Sequence, residues 1–116
     1  MKTRLAAGFG FLAVLLGALG AHGGVHALLV ERQGLELWKT ASLYHLAHAV
    51  VLLALALGRV RSRTAFVCFS AGVAIFSGTL YALALTQIKW LGAVTPVGGL
   101  LLMAGWLVLL WRPTQD

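Results

Sequence analysis

The sequence predicts an all-α fold, a membrane four-helix bundle with a short interfacial helix between the first and second spans. Three observations carry that prediction. The 116 residues are 60% hydrophobic and 10% charged, with a mean hydropathy of +0.92, whereas soluble chains carry about 25% charged residues. The apolar residues fall into runs at about 5–21, 41–58, 65–85 and 91–111, each the length that crosses a hydrocarbon core of about 30 Å. None of these runs alternates with period two, and a lone helix satisfies its own backbone in lipid where a lone strand does not. The chain is one transmembrane domain, residues 1–116.

The first run follows Lys2 and Arg4 and carries small residues at Ala6, Gly10, Ala13, Gly17 and Ala21. A basic start, an apolar centre and small residues at Ala18 and Gly20 are also the layout of a cleaved signal. The small residues at helical spacing instead predict a retained helix with a smooth ridge for close packing in lipid. Between the first two runs lies a long gap, His22 to Thr40. Val25, Leu28 and Leu29 share a helical face there while Glu31 and Arg32 are polar, which predicts a short helix lying at the membrane surface. Gly34 is expected to end it, and Trp38 to anchor the next span at the headgroups. The second gap, Arg59-Val60-Arg61-Ser62-Arg63, is short and basic. The third, Thr86-Gln87-Ile88-Lys89-Trp90, is a tight turn. Pro96 lies in the first turns of the fourth helix, where its missing N–H does least damage.

The net charge of +6 does not point to nucleic acid, because the basic residues sit in short gaps between spans and form no continuous basic face. Their distribution predicts orientation. Lys2, Arg4, Arg59, Arg61, Arg63 and Arg112 fall on one side and Arg32, Lys39 and Lys89 on the other. The richer side faces the cytoplasm, which places both termini there in a multi-pass membrane protein. Cys68, the single cysteine, allows no internal disulfide and no cysteine-based metal motif. It reads as a small buried hydrophobe.

Polar groups inside lipid are costly and usually face the bundle interior. The second helix carries Tyr44, His45 and His48, three and four residues apart and therefore on one face. The third carries Ser70, Ser77 and Tyr81 on one stripe. Thr95 lies in the fourth, and His22 ends the first. Most of these map to the outer half of the membrane, so the bundle is expected to have a polar outer end and an apolar inner end. The candidate polar site is His22, Tyr44, His45, His48, Ser77, Tyr81 and Thr95.

Two chemistries fit these histidines. Neutral imidazole binds transition metals and haem iron, with His22 and His48 as the candidate ligands. The plainer reading has each histidine bonded to Tyr44, Tyr81, Ser77 or a carbonyl, locking helix to helix, and it is favoured. No carboxylate lies within a span, so a zinc site would be all-histidine, an uncommon set. His26 reads as a loop residue facing headgroups. Paired carboxylates, a Ser-His-Asp set and a phosphate-binding loop are all missing, and Ser77-Gly78 lacks the strand–turn–helix setting of a nucleophile elbow.

Several phrases together resemble one family over nearly the whole chain. They are Gly17-Ala18-Leu19-Gly20-Ala21-His22-Gly23; Trp38-Lys39-Thr40-Ala41 with Tyr44 and His48-Ala49; Phe76-Ser77-Gly78-Thr79-Leu80-Tyr81 with Leu85-Thr86; and Leu91-Gly92 with Thr95-Pro96-Val97-Gly98-Gly99 and Gly105-Trp106. The resemblance is to the family called domain of unknown function 423, which includes relatives of transmembrane protein 256. It implies a four-helix inner-membrane protein and supplies no activity or cofactor. His22, Tyr44, His48, Ser77, Tyr81, Thr95 and Pro96 fall on its motif positions. His45 departs from it, since glutamine is more usual there.

The leading expectation is thus a non-catalytic membrane protein whose polar cluster locks the bundle or binds a small partner, lipid or quinone. The first alternative is a His-ligated haem or metal redox protein. The second is a subunit of an oligomeric transporter of small solutes or ions, self-associating through the small residues Ala13-Gly17-Ala21 and Gly98 with Gly105. The lipid bilayer is the expected partner, a homo-oligomer the expected form of any assembly, and no nucleic acid is involved.

Overall fold

The computed structural model describes residues 1–58 and 60–111. Arg59 and Arg112, two of the basic residues that predict orientation, lie outside the described residues. The helices are α1 (Lys2–Ala21), α2 (Gly23–Glu31), α3 (Leu35–Ala56), α4 (Arg63–Thr86) and α5 (Leu91–Trp111). No strand occurs among the described residues. Four helices, α1, α3, α4 and α5, are long and apolar enough to cross a membrane, and α2 is the short helix expected between the first two.

Each long helix starts at or before its apolar run, for local reasons. Ser62 caps α4, its Oγ accepting from the Ala65 N–H at 3.1 Å, so the helix takes in Arg63 and Thr64. In α3 the polar segment from Leu35 to Thr40 is already helical, with Glu36 in the first turn, where a carboxylate suits the positive end of the helix dipole. Thus Glu36 is a helix residue and not a loop residue. At the end of α2 the expected stop at Gly34 falls on its neighbour. Gln33 takes the left-handed conformation, φ 57°, while Gly34 precedes α3 and lies against the Ala84 backbone of α4, leaving no room for a Cβ. The glycine serves a close approach and not a turn.

In lipid, apolar burial does not drive helices together, so association rests on close packing and polar contacts. The packing is visible between α4 and α5, where side chains of one helix fill the glycine gaps of the other. A Cβ on Gly72 would stand 2.8 Å from Leu102, and one on Gly105 2.7 Å from the Phe69 ring. One on Gly98 would meet the Phe76 backbone. Gly98 and Gly105 are therefore used within the chain, which removes them from the faces expected to mediate self-association. On α1 the buried small residues are Ala6, Ala13 and Gly20. The ridge turns at its end from Gly17 and Ala21 to Gly20 because the Trp38 indole fits against Gly20.

The helices follow one another in space in the order α1, α3, α4, α5, each packed on the next. The backbones of α1 and α5 nowhere come within 8 Å of each other. Both contribute to one core, in which Ala6 of α1, Leu52 of α3, Phe69 and Val73 of α4 and Leu102 of α5 cluster. A second core at the other end gathers Leu29, Trp38, Ala41, Leu80, Tyr81 and Ala84. Cys68 is half-buried and free.

Candidate functional site

The second core holds the polar groups. Trp38 is buried, and its Nε1–H donates to the Leu16 carbonyl of α1 at 2.8 Å. Its ring packs edge-on to Tyr81 at 4.6 Å between centroids. The expectation of a headgroup anchor is thus corrected: with Gly20 opposite, the indole is drawn in to join three helices. The Tyr81 hydroxyl lies 2.9 Å from His45 Nδ1 and 3.4 Å from Ser42 Oγ, tying α4 to α3. The His45 ring lies edge-on to Phe9 of α1 at 6.1 Å between centroids, and its Nε2 is buried with no hydrogen-bond partner among the described residues. Ser77 donates to the Ala41 carbonyl at 2.9 Å, and Thr79 and Thr95 join α4 to α5 at 2.6 Å.

His48 is set apart, deeper in the membrane. It lies 13 residues into α3, about 20 Å along its axis, and Trp106 lies 15 residues into α5, about 22 Å. Trp106 Nε1 is 3.1 Å from His48 Nε2, and His48 Nδ1 is 2.8 Å from the Tyr44 carbonyl. An indole nitrogen only donates and a carbonyl only accepts. The imidazole is therefore neutral, with its proton on Nδ1, and both nitrogens are engaged. Tyr44 and Phe69 pack against the pair at 5.1–6.1 Å between ring centroids, and Phe76 packs against Tyr44 at 4.9 Å. The Tyr44 hydroxyl, on the exposed side of α3, has no partner among the described residues.

His45, Ser77 and Tyr81 come together around the second core, with Thr95 on its α5 side. His48 and Tyr44 form a separate, deeper group. His22 joins neither, being exposed at the α1–α2 junction. Gly20 is level with Trp38, His48 is ten residues further along α3 and His22 lies beyond Gly20 in the other direction, so His22 and His48 are more than about 15 Å apart along the bundle axis. The structure does not bring this candidate pair together, and among the described residues no three His, Cys, Asp or Glu side chains could share a metal ion. His26 belongs to α2 and bonds through Nδ1 to the Gly20 carbonyl at 2.9 Å; it pins α2 to α1 where a headgroup-facing loop residue was expected. Ser70 Oγ is buried without a hydrogen-bond partner among the described residues.

Sequence reasoning missed Ser42, Thr79 and Trp106 as partners. Ser42 lies three residues before His45, on the same helix face, a spacing that could have suggested it; Thr79, two before Tyr81, faces elsewhere and meets Thr95 of α5. Trp106 had no such signal, since its partner is on a helix two places away.

Two cavities open beside these groups. One of about 470 Å³ lies between α1, α2 and α3, walled by Gly17, Gly20, Trp38 and Leu46, with His26, Lys39 and Ser42 also lining it. The other, about 230 Å³, is lined by Tyr44, His48, Phe76, Gly99, Met103 and Trp106.

The chain matches the family model described as Protein of unknown function (DUF423) over residues 16–99. It is 41% identical over 102 residues to a UPF0382 membrane protein of Staphylococcus saprophyticus, covering 84% of this chain and 83% of that one. It is 39% identical over 104 residues to the UPF0382 membrane protein YwdK of Bacillus subtilis, covering 84% and 83%. With a UPF0382 membrane protein of Haemophilus influenzae it shares 38% identity over 104 residues, covering 86% and 82%. No solved structure matches it. Long apolar helices, their buried polar contacts and these relatives agree: the chain is a multi-pass membrane protein and belongs to the DUF423 family.

Proposed function

We propose that the chain is a non-catalytic protein of the cell inner membrane, with both termini cytoplasmic, which holds an amphipathic lipid or quinone in the groove between α1, α2 and α3. The polar cluster holds the groove's walls in place. One observation carries this reading. The polar side chains of the second core are bonded to one another or to carbonyls, whereas the adjoining groove of about 470 Å³ is left open, with apolar walls and Lys39, Ser42 and His26 along it. A cavity of that size, mostly apolar with a few polar groups, is the usual form of a small-molecule site. Orientation is supported by the described basic residues, Lys2, Arg4, Arg61 and Arg63 at one end against Arg32, Lys39 and Lys89 at the other.

Gly17→Trp tests the groove. A Cβ there meets nothing within 4 Å and Gly17 lines the groove, so the position has room for a side chain that extends into it. Lipid and quinone co-purifying with the wild-type protein in mild detergent, counted by mass spectrometry, should fall severalfold in the variant while its unfolding midpoint stays put. Equal amounts in both proteins would reject the groove as the binding site.

A further inference from the structure

The opposite end of the molecule has a cavity of its own. It measures about 300 Å³ and is lined by Lys2 of α1, Leu55 and Ala56 of α3, and Gly58, Arg61 and Ser62 of the connection to α4. That volume is at the low end of the range for small-molecule pockets, about 300–1,000 Å³.

Its charge is one-sided. The ionisable side chains described at this end are Lys2, Arg4, Arg61 and Arg63, all cationic. The described carboxylates, Glu31 and Glu36, belong to α2 and the start of α3, at the far end. Basic residues that serve only to orient a membrane protein extend into water. Lys2, although exposed, is turned toward the bundle: its ammonium lies 5.4 Å from the centroid of the Phe66 ring on α4, and the residue lines the cavity. Ser62 is buried, and its Oγ already accepts from the Ala65 N–H. Its own proton remains available to a ligand, since no described group accepts it. The first turn of α4 adds the positive end of a helix dipole. Beneath these groups Leu55 and Ala56 are apolar, as befits a site at the border of the hydrocarbon.

We infer that this cavity binds the phosphate of an anionic phospholipid headgroup, with Lys2 and Arg61 as the charged contacts and Ser62 as a neutral donor. Basic pockets between membrane helices are a known way to hold acidic headgroups. The cavity admits the headgroup alone, so the acyl chains lie outside it, along the bundle. The site is separate from the groove between α1, α2 and α3, and it stands whichever face of the membrane this end occupies.

The full-length protein in a neutral detergent is titrated with short-chain phosphatidylglycerol and, separately, with phosphatidylcholine, reading the thermal midpoint. A ligand of the folded state alone raises that midpoint with concentration. Phosphatidylglycerol should raise it and phosphatidylcholine should not. Lys2→Gln and Arg61→Gln should each weaken the response about fivefold in concentration, the effect of one basic residue near an acidic lipid surface. Arg61 is exposed, so its variant tests the site even if Lys2→Gln loosens α1. Arg4→Gln, outside the cavity, should respond as the wild type does. Equal stabilisation by both lipids, or equal weakening in Arg4→Gln, would overturn the inference. Inorganic phosphate reproducing the full shift would do so too, because the site would then take a soluble anion.

Discussion

At the scale of a residue, His48 is the informative one. Both its nitrogens are bonded, one to its own helix and one to Trp106 on α5. Hydrogen bonds between membrane helices average about 0.6 kcal/mol and reach about 1.7. Trp106→Phe keeps the aromatic packing and removes only the donor, so it should cost about 1 kcal/mol in a denaturant titration in detergent. His48→Ala also opens space beside Phe69 and should cost about 2–3 kcal/mol. Unchanged stability in both variants would refute the locking role. Metal or haem ligation by His48 would first have to displace the indole, so Trp106→Phe is also the variant in which any such affinity would rise. The sequence makes His48 conspicuous as an intramembrane histidine, but it does not reveal Trp106, because a contact between helices two places apart leaves no mark in local spacing.

At the scale of an element, the helices were legible and their mutual faces less so. Length and hydropathy located every span, because the thickness of the bilayer sets both. The face of each helix was harder to read. Small residues run along several sides of α1 and α5, and periodicity does not say which side a neighbour takes. So Ala6 and Ala13 were read correctly, Gly17 gave way to Gly20, and Gly98 and Gly105 proved to pack inside the chain. Trp38 was misread for a related reason: tryptophan near a span's end usually sits among headgroups, and only the missing side chain at Gly20 draws this one inward. The glycine pairing yields a contrast that can be measured. Gly98→Leu drives a side chain into the Phe76 backbone and should lower stability by about 3 kcal/mol. Gly10→Leu, where a Cβ meets nothing within 4 Å, should change it by less than about 0.5 kcal/mol. If Gly98→Leu instead kept its stability and altered only the oligomeric state, the packing of α5 on α4 would be wrong.

At the scale of the whole molecule, one end is basic and the other carries the turns and the second core. The proposed orientation rests on how Lys and Arg divide between the two ends of the bundle, a count that needs no contacts. Single cysteines in a Cys68→Ala background check it. Val60→Cys should react with a membrane-impermeant maleimide only after the cells are opened, and Lys89→Cys should react in intact cells. The reverse pattern would place the termini outside. The turns are fastened together: Arg32 donates to the Leu85 carbonyl, and Gln87 to the Arg32 carbonyl. This joins the α2–α3 turn to the end of α4, but among the described residues no such tie reaches from α1 to α5. Under a mechanical pull the absence of a closed ring matters. Tension on the last helix is resisted by α4 and by the Trp106–His48 bond, and tension on the first by α3 with its companion α2. A load therefore cannot be shared around the circumference, and the molecule would come apart from its two edges inward, the clamped middle yielding last.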